Sequence, residues 1–482
     1  MMTSDRRRWL GLALLCVVQF MVVLDIAIVN VALPSIKIDL GFSQQDLQWV
    51  ISAYALVFGG FLLLGGRAAD LLGRRRVFLV AIVVFTLGSL FAGLAWSEAT
   101  LIGARTLQGL GAAIITPAAL SILSTTFVEG RERNIALGAW GAVGGFGAAA
   151  GVLLGGVLTD ALSWEWIFFV NVPVGVTAFV LAPFLLGESR DARVSRFDAP
   201  GAVLVTSGLS ALVYAITQAG QHGWTAGRTL AFFAAALVLL VGFVAWEIRH
   251  SEPLMRLGIF QIRTVSGANV AGLIMGTALF AMFLMLTLYM QQVLGYSPLR
   301  TGVAYLAVAG TAIVWSALAA QLVTRVGVKR VLVIGMVFLT AGLAYFTQVS
   351  VGGSYAGDLL PGFLVIAVGM GFSFVPISIA ALAGVQPSEA GLASGLINTS
   401  QQVGGALGIA ALSAVATSTT ADQLAAGSQR ALALTDGFQA AFVGGAAVAV
   451  VGVLVALFVV RGRDLAGESA AAPNVEAALE AA

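Results

Sequence analysis

The chain is made of apolar runs about as long as a bilayer is thick, and this leaves it few ways to fold. A spanning helix needs roughly 20 predominantly apolar residues. Runs of that kind recur at 10–33, 45–66, 76–96, 99–123, 134–158, 164–187, 199–218, 229–248, 265–290, 299–323, 330–350, 356–382, 391–416 and 438–460. In hydrocarbon every backbone N–H and C=O must find a partner inside the protein, so runs of this length cross as helices. The expected fold class is an all-α polytopic membrane protein with fourteen spans. Charged residues make up 10% of the 482-residue chain, against about 25% in a soluble domain. There is too little charge for a water-facing surface, and the surplus apolar residues are expected to face lipid.

The position of the charges sets the orientation. With the N-terminus in the cytoplasm, 20 of the 25 basic residues fall on the inner side, four (Lys37, Arg228, Arg300 and Arg430) on the outer side, and Arg105 within a span. That asymmetry follows the positive-inside rule. An even number of spans places both termini in the cytoplasm, in a cell (inner or plasma) membrane. The net charge of +2 gives no footprint for nucleic acid. Cys16 is the only cysteine, and His222 and His250 fall in connections, so no metal site is expected. Neither Lys37 nor Lys329 stands in a P-loop, and neither histidine is followed by Glu. A nucleotide motor and a metalloprotease are excluded, and the chain is not read as an enzyme. Energy would come from the proton gradient, with no cofactor.

The connection Gly66–Val77 is repeated at Ala320–Val331. With Gly73 on Gly327, Arg75 and Arg76 fall on Lys329 and Arg330. Parallel repeats of this sort build transporters around a midplane site. The expected division is a six-helix bundle at 1–187, a two-helix insert with cytoplasmic linkers at 188–264, a second six-helix bundle at 265–461 and a tail at 462–482.

Charge inside the bilayer costs at least about 2.5–3.5 kcal/mol at a helix centre, so intramembrane ions mark candidate sites. Asp25 is the one acidic residue well inside a span, and Arg105 is the one basic residue there. Both lie in the outer half at similar depth. Asp25 can load and release a proton, or it can be a permanent salt-bridge partner. Arg105 can pair with it, or it can bond backbone carbonyls. Asp70, ahead of Arg74, Arg75 and Arg76, reads either as a cytoplasmic latch or as topology-setting charge. Asn30, Tyr54, Gln108, Asn269, Phe283, Asn398 and Gln401 are candidates for a substrate cavity; helix–helix hydrogen bonds and packing explain them equally well.

Several segments in order resemble the major facilitator superfamily, in particular its fourteen-helix drug:proton antiporters. They are Leu24–Pro34 with Asp25, Gly66–Arg76, Arg105–Ala113, Gly147–Gly156, Trp164–Gly175 and Gly391–Asn398. Leu71 stands where the loop motif carries a basic residue, and Val152 where the glycine motif carries proline. The resemblance implies proton coupling through Asp25 and Arg105, and cytoplasmic gating by Gly66, Asp70, Gly73 and Arg74–Arg76. It also implies a flexible glycine helix at Gly147, Gly151, Gly155 and Gly156. The implied activity is export of hydrophobic or cationic drug-like molecules in exchange for protons, by a monomer. An uptake permease or a dedicated metabolite exporter is the alternative on the same fold.

Overall fold

The computed structural model describes residues 4–42, 47, 49–128, 130–189, 198–250, 253–386 and 389–460. The expected tail 462–482 and the linker stretches 190–197 and 251–252 lie outside the described residues. The regular structure among the described residues is all helical: α1 (Ser4–Leu40), α2 (Trp49–Leu72), α3 (Arg74–Gly93), α4 (Glu98–Thr126), α5 (Arg131–Ala161), α6 (Trp166–Phe169), α7 (Asn171–Leu185), α8 (Ala199–His222), α9 (Gly227–Arg249), α10 (Arg263–Gln292), α11 (Pro298–Val326), α12 (Val328–Phe346), α13 (Leu360–Leu382), α14 (Ala390–Ala425) and α15 (Arg430–Phe458). Among the described residues, 13 helical segments are long and apolar enough to cross a membrane, with α6 and α7 forming one of them. The further run expected at 134–158 lies on α5.

The run expected at 164–187 is broken at Val170. Pro173 has no N–H to give the Phe169 carbonyl, so α6 ends and α7 begins with Asn171. The helices pack as α1 on α5, α2 on α4, α3 on α4, α10 on α14, and α12 on α13, while α5 crosses α11 and α2 crosses α14. α8 and α9 pair with each other, and α8 also lies on α2 and α14. One apolar core is drawn from α10–α15. Another joins α1–α5 and α7 to parts of α8 and α9.

The sequence repeat has a structural counterpart. Gly73, between α2 and α3, has φ +105°, and Gly327, between α11 and α12, has φ +88°. Only glycine reaches this region without strain, so both helix pairs turn back at the same place. The match extends through the packing. Gly88 of α3 meets Gln108 of α4, and Gly342 of α12 meets Ile366 of α13. Gly111 abuts Phe85, and Gly369 abuts Leu339. These contacts keep constant offsets along the chain, so α3 and α4 pack in the same register as α12 and α13.

Candidate functional site: two buried polar clusters

Five helical segments bring polar groups to one point in the apolar interior. Asp25 of α1 is 0% exposed and Arg105 of α4 is 1% exposed. Arg105 Nη1 donates to Asp25 Oδ2 at 2.6 Å. Asp25 Oδ1 accepts from Gln108 Nε2 at 3.0 Å and from Asn171 Nδ2 at 2.9 Å. Ser89 of α3 accepts from the same two amides, at 2.9 and 3.0 Å, and donates to the Phe168 carbonyl at 3.0 Å. Arg105 Nε donates to the Val50 carbonyl of α2 at 3.1 Å. The Arg105 guanidinium lies 4.3 Å from the Tyr54 ring centroid, within range of a cation–π attraction.

A buried ion pair is tolerable only when its remaining lone pairs and protons are satisfied. Here the carboxylate has donors on both oxygens, and the guanidinium has a carbonyl, an amide and a ring face. In this conformer the carboxyl is closed off from water and lipid alike. Chemically the site can hold one negative charge against one positive charge, or one proton in place of that attraction. Any exchange of proton or cation requires the helices around it to part.

The glycines of α5 bring α1 close. A Cβ on Gly147 would stand 2.9 Å from a Val23 side-chain carbon. One on Gly151 would stand 2.8 Å from the Leu24 carbonyl, and one on Gly155 would stand 2.8 Å from the Ile28 carbonyl. The three are spaced four residues apart, so they line one helix face, and that face covers the stretch of α1 that carries Asp25. Gly156 is on another face, toward Leu299 of α11.

The residues of the Gly66–Arg76 connection form a second polar cluster. Asp70 is 0% exposed. Its Oδ1 accepts from Arg74 Nη2 at 2.8 Å and from Ser121 Oγ at 3.2 Å. Its Oδ2 accepts from the backbone N–H of Leu392 at 3.1 Å. Leu392 is in the first turn of α14, where N–H groups lack helical partners and the helix dipole favours negative charge. Asp70 therefore ties the end of α2 to the start of α14, and Gly66 lets the two backbones touch at Gly391. Arg75 donates to the carbonyls of Pro183 and Leu186, each at 3.3 Å, and Arg76 is 4.0 Å from Glu188.

The substrate-cavity candidates are dispersed. Tyr54 and Gln108 belong to the ion-pair network. Asn30 is exposed and bonds the Ile26 carbonyl of its own helix. Asn269 accepts from Ser400 Oγ at 3.0 Å across the α10–α14 contact, and Gln401 packs against Gly276 there. Asn398 bonds its own helix at the Ser394 carbonyl. Phe283 packs on Tyr305 with ring centroids 5.3 Å apart. Asn171 lies within the Trp164–Gly175 segment and Ser89 inside the third expected span, but a neutral polar side chain in a span does not by itself reveal a partner of Asp25.

Comparison with known proteins agrees with the fold. The family model described as Major Facilitator Superfamily matches residues 15–409. The puromycin resistance protein pur8 of Streptomyces alboniger is 42% identical over 90% of this chain and 86% of its own length. The cephamycin export protein CmcT of Amycolatopsis lactamdurans is 41% identical over 85% of each chain. The tetracenomycin C resistance and export protein of Streptomyces glaucescens is 35% identical over 86% of this chain and 77% of its own. The crystal structure of the human organic anion transporter MFSD10 (TETRAN) superimposes with a TM-score of 0.69 at 13% identity, covering 94% of this chain and 100% of that one, a likeness of fold alone. With most of its length matched, the chain belongs to the Major Facilitator Superfamily.

Proposed function

We propose that the chain is a proton-coupled antiporter that exports drug-like or antibiotic small molecules by alternating access. The observation that carries this reading is the buried Asp25–Arg105 pair, an exchangeable charge inside a fold whose relatives are named for antibiotic resistance and export. Asp25 carries the proton, and Arg105 holds the carboxylate when the proton has left. Gln108, Asn171 and Ser89 keep the carboxyl oriented in both states. Asp70 on the first turn of α14 closes the cytoplasmic side, and Gly147, Gly151 and Gly155 let α1 slide along α5. In this reading α5 is the fourteenth span. Residues 1–187 and 265–461 are the two rocking bundles, 188–264 is the insert, both termini are cytoplasmic, and the protein works as a monomer without a cofactor.

Cephamycin export is named for a single antibiotic class, which favours a second reading as a dedicated exporter. Expression in an efflux-deficient host, tested against puromycin, cephamycins, tetracenomycin C, dyes and cationic biocides, separates the two. Tolerance to many unrelated compounds supports multidrug export, and tolerance to one class supports a dedicated exporter. Increased sensitivity to a compound would mean uptake and would overturn both.

A further inference from the structure

The α8–α9 pair carries two carboxyls that the proposed coupling does not use. Asp198 precedes α8 and Glu247 is in the last turn of α9, and each is only 4% exposed. Asp198 Oδ1 accepts from the Gly201 N–H at 3.0 Å and from the Trp246 indole at 3.0 Å, and the indole also reaches Oδ2 at 3.3 Å. Glu247 Oε2 accepts from the Met255 N–H at 2.8 Å. Glu247 Oε1 is buried with no N–H or hydroxyl to bond among the described residues. It lies beside Asp198 Oδ2, both oxygens crowding the space where a Cβ on Gly201 would stand, 2.3 Å from Asp198 Oδ2 and 2.5 Å from Glu247 Oε1.

Two carboxylate oxygens are both acceptors, so a buried pair this close is stable only with a proton on one of them. Among the described residues neither carboxyl makes an ion pair. The surrounding ionisable groups are engaged elsewhere or outside the cluster. His250 stacks on Trp246, Arg256 pairs with Glu389 at 3.5 Å, Asp70 of α2 is held by Arg74, and Arg67 and Arg249 make no ion pair with either carboxyl. Burial alone pushes the Asp198 carboxyl up, but the bonds from Gly201 and Trp246 hold it below the usual carboxylate range. Asp198 has N–H donors on both oxygens and Glu247 Oε1 has none, so Asp198 is the ionised acceptor and the proton belongs to Glu247.

We propose that Glu247 and Asp198 form a second proton-binding site, a clasp that holds the α9–α10 connection only while the proton is bound. Glu247 joins both sides of the clasp: Oε1 carries the proton to Asp198 at the start of α8, and Oε2 holds the backbone of Met255 ahead of α10. Loss of the proton sets two carboxylates against each other in a dry site, and like charges in contact cannot both stay ionised cheaply. The relief is for Glu247 to swing away and release Met255. The site does not depend on the role given to Asp25.

The test uses the full-length protein in lipid nanodiscs, with infrared spectra recorded across a pH series. The wild type should show a protonated-carboxyl C=O band that disappears on alkalinisation. Glu247→Gln should lack that band, while Asp25→Asn should keep it, so failure here and failure of the Asp25 reading are told apart. Amide exchange across 253–257, corrected for intrinsic rate, should quicken by up to about tenfold per pH unit above the midpoint of the band. Glu247→Gln can still donate to Asp198 and accept from Met255, so its exchange should stay slow at every pH. A Glu247→Gln spectrum identical to the wild type would overturn the proposal, and so would corrected exchange that ignores pH in the wild type.

Discussion

The α1–α5 and α10–α14 contacts use glycine in the same way. Gly151 and Gly155 admit the carbonyls of Leu24 and Ile28, and Gly404 and Gly408 admit those of Leu273 and Thr277. The spacing is identical, so Asp25 in the first contact corresponds to Ile274 in the second. The register of α3 and α4 on α12 and α13 extends the match: Ser89 corresponds to Leu343, Gln108 to Ile366 and Arg105 to Phe363. All four counterparts are buried and apolar. The latch differs likewise, because Asp70 corresponds to Thr324, whose hydroxyl only donates to the Gln321 carbonyl of its own helix. Close packing is common to both contacts and is a structural requirement, since lipid-embedded helices associate through small residues. Charge is confined to one of them. At the corresponding positions the α10–α14 side packs with buried apolar residues and no ion pair.

The largest expected effect comes from breaking the pair on one side. Arg105→Ala leaves Asp25 charged and buried without its cation, at a cost of about 3–5 kcal/mol, read as a large drop in thermal unfolding temperature in detergent. Copying the other side removes that cost. The double variant Asp25→Ile with Arg105→Phe should recover near wild-type thermal stability, because apolar replacement of a buried pair is often neutral, yet it should give no efflux. Restored efflux in that variant would show that the pair is only structural.

Glycine variants sharpen the common part of the comparison. Gly151→Leu and Gly404→Leu should each lower stability by about 1–3 kcal/mol through overpacking, and by similar amounts. A loss confined to Gly151→Leu would mean that the two contacts are not equivalent. Hydrogen bonds give a smaller contrast. Asn171→Ala removes a bond to a charged group and should cost about 1.5–3 kcal/mol, while Asn269→Ala removes neutral bonds and should cost about 0.5–1.5 kcal/mol. The least effect is expected at Thr324, the counterpart of Asp70. Thr324→Ala should stay within about 0.5 kcal/mol of wild type, whereas Asp70→Ala should unfasten α2 from α14 and expose a cysteine placed at residue 392 to a water-soluble thiol reagent added on that side of the membrane.

Sequence alone made the strongest signals legible, and physical cost explains which. Spans are written in twenty-residue apolar runs because lipid allows nothing else, and Asp25 and Arg105 stand out because a charge in such a run is expensive. The Gly73–Gly327 match was readable because a positive φ demands glycine at both turns. Ser89 and Asn171 were hidden because a neutral polar side chain in a span is cheap and has many uses. The break at Val170 was hidden because Pro173 fits the first turn of a helix as well as it interrupts one. The dispersal of Asn30, Asn269, Phe283, Asn398 and Gln401 over separate contacts is tertiary information that no single run contains.

The central claim is that the Asp25 carboxyl moves protons against substrate. Everted vesicles with an imposed proton gradient test it directly, with proton movement recorded on addition of an exported compound to wild type and to Asp25→Asn. The account predicts that the wild type dissipates the gradient and that Asp25→Asn, inserted at the same level, does not at any pH. Dissipation by Asp25→Asn at the wild-type rate across the pH series would contradict it.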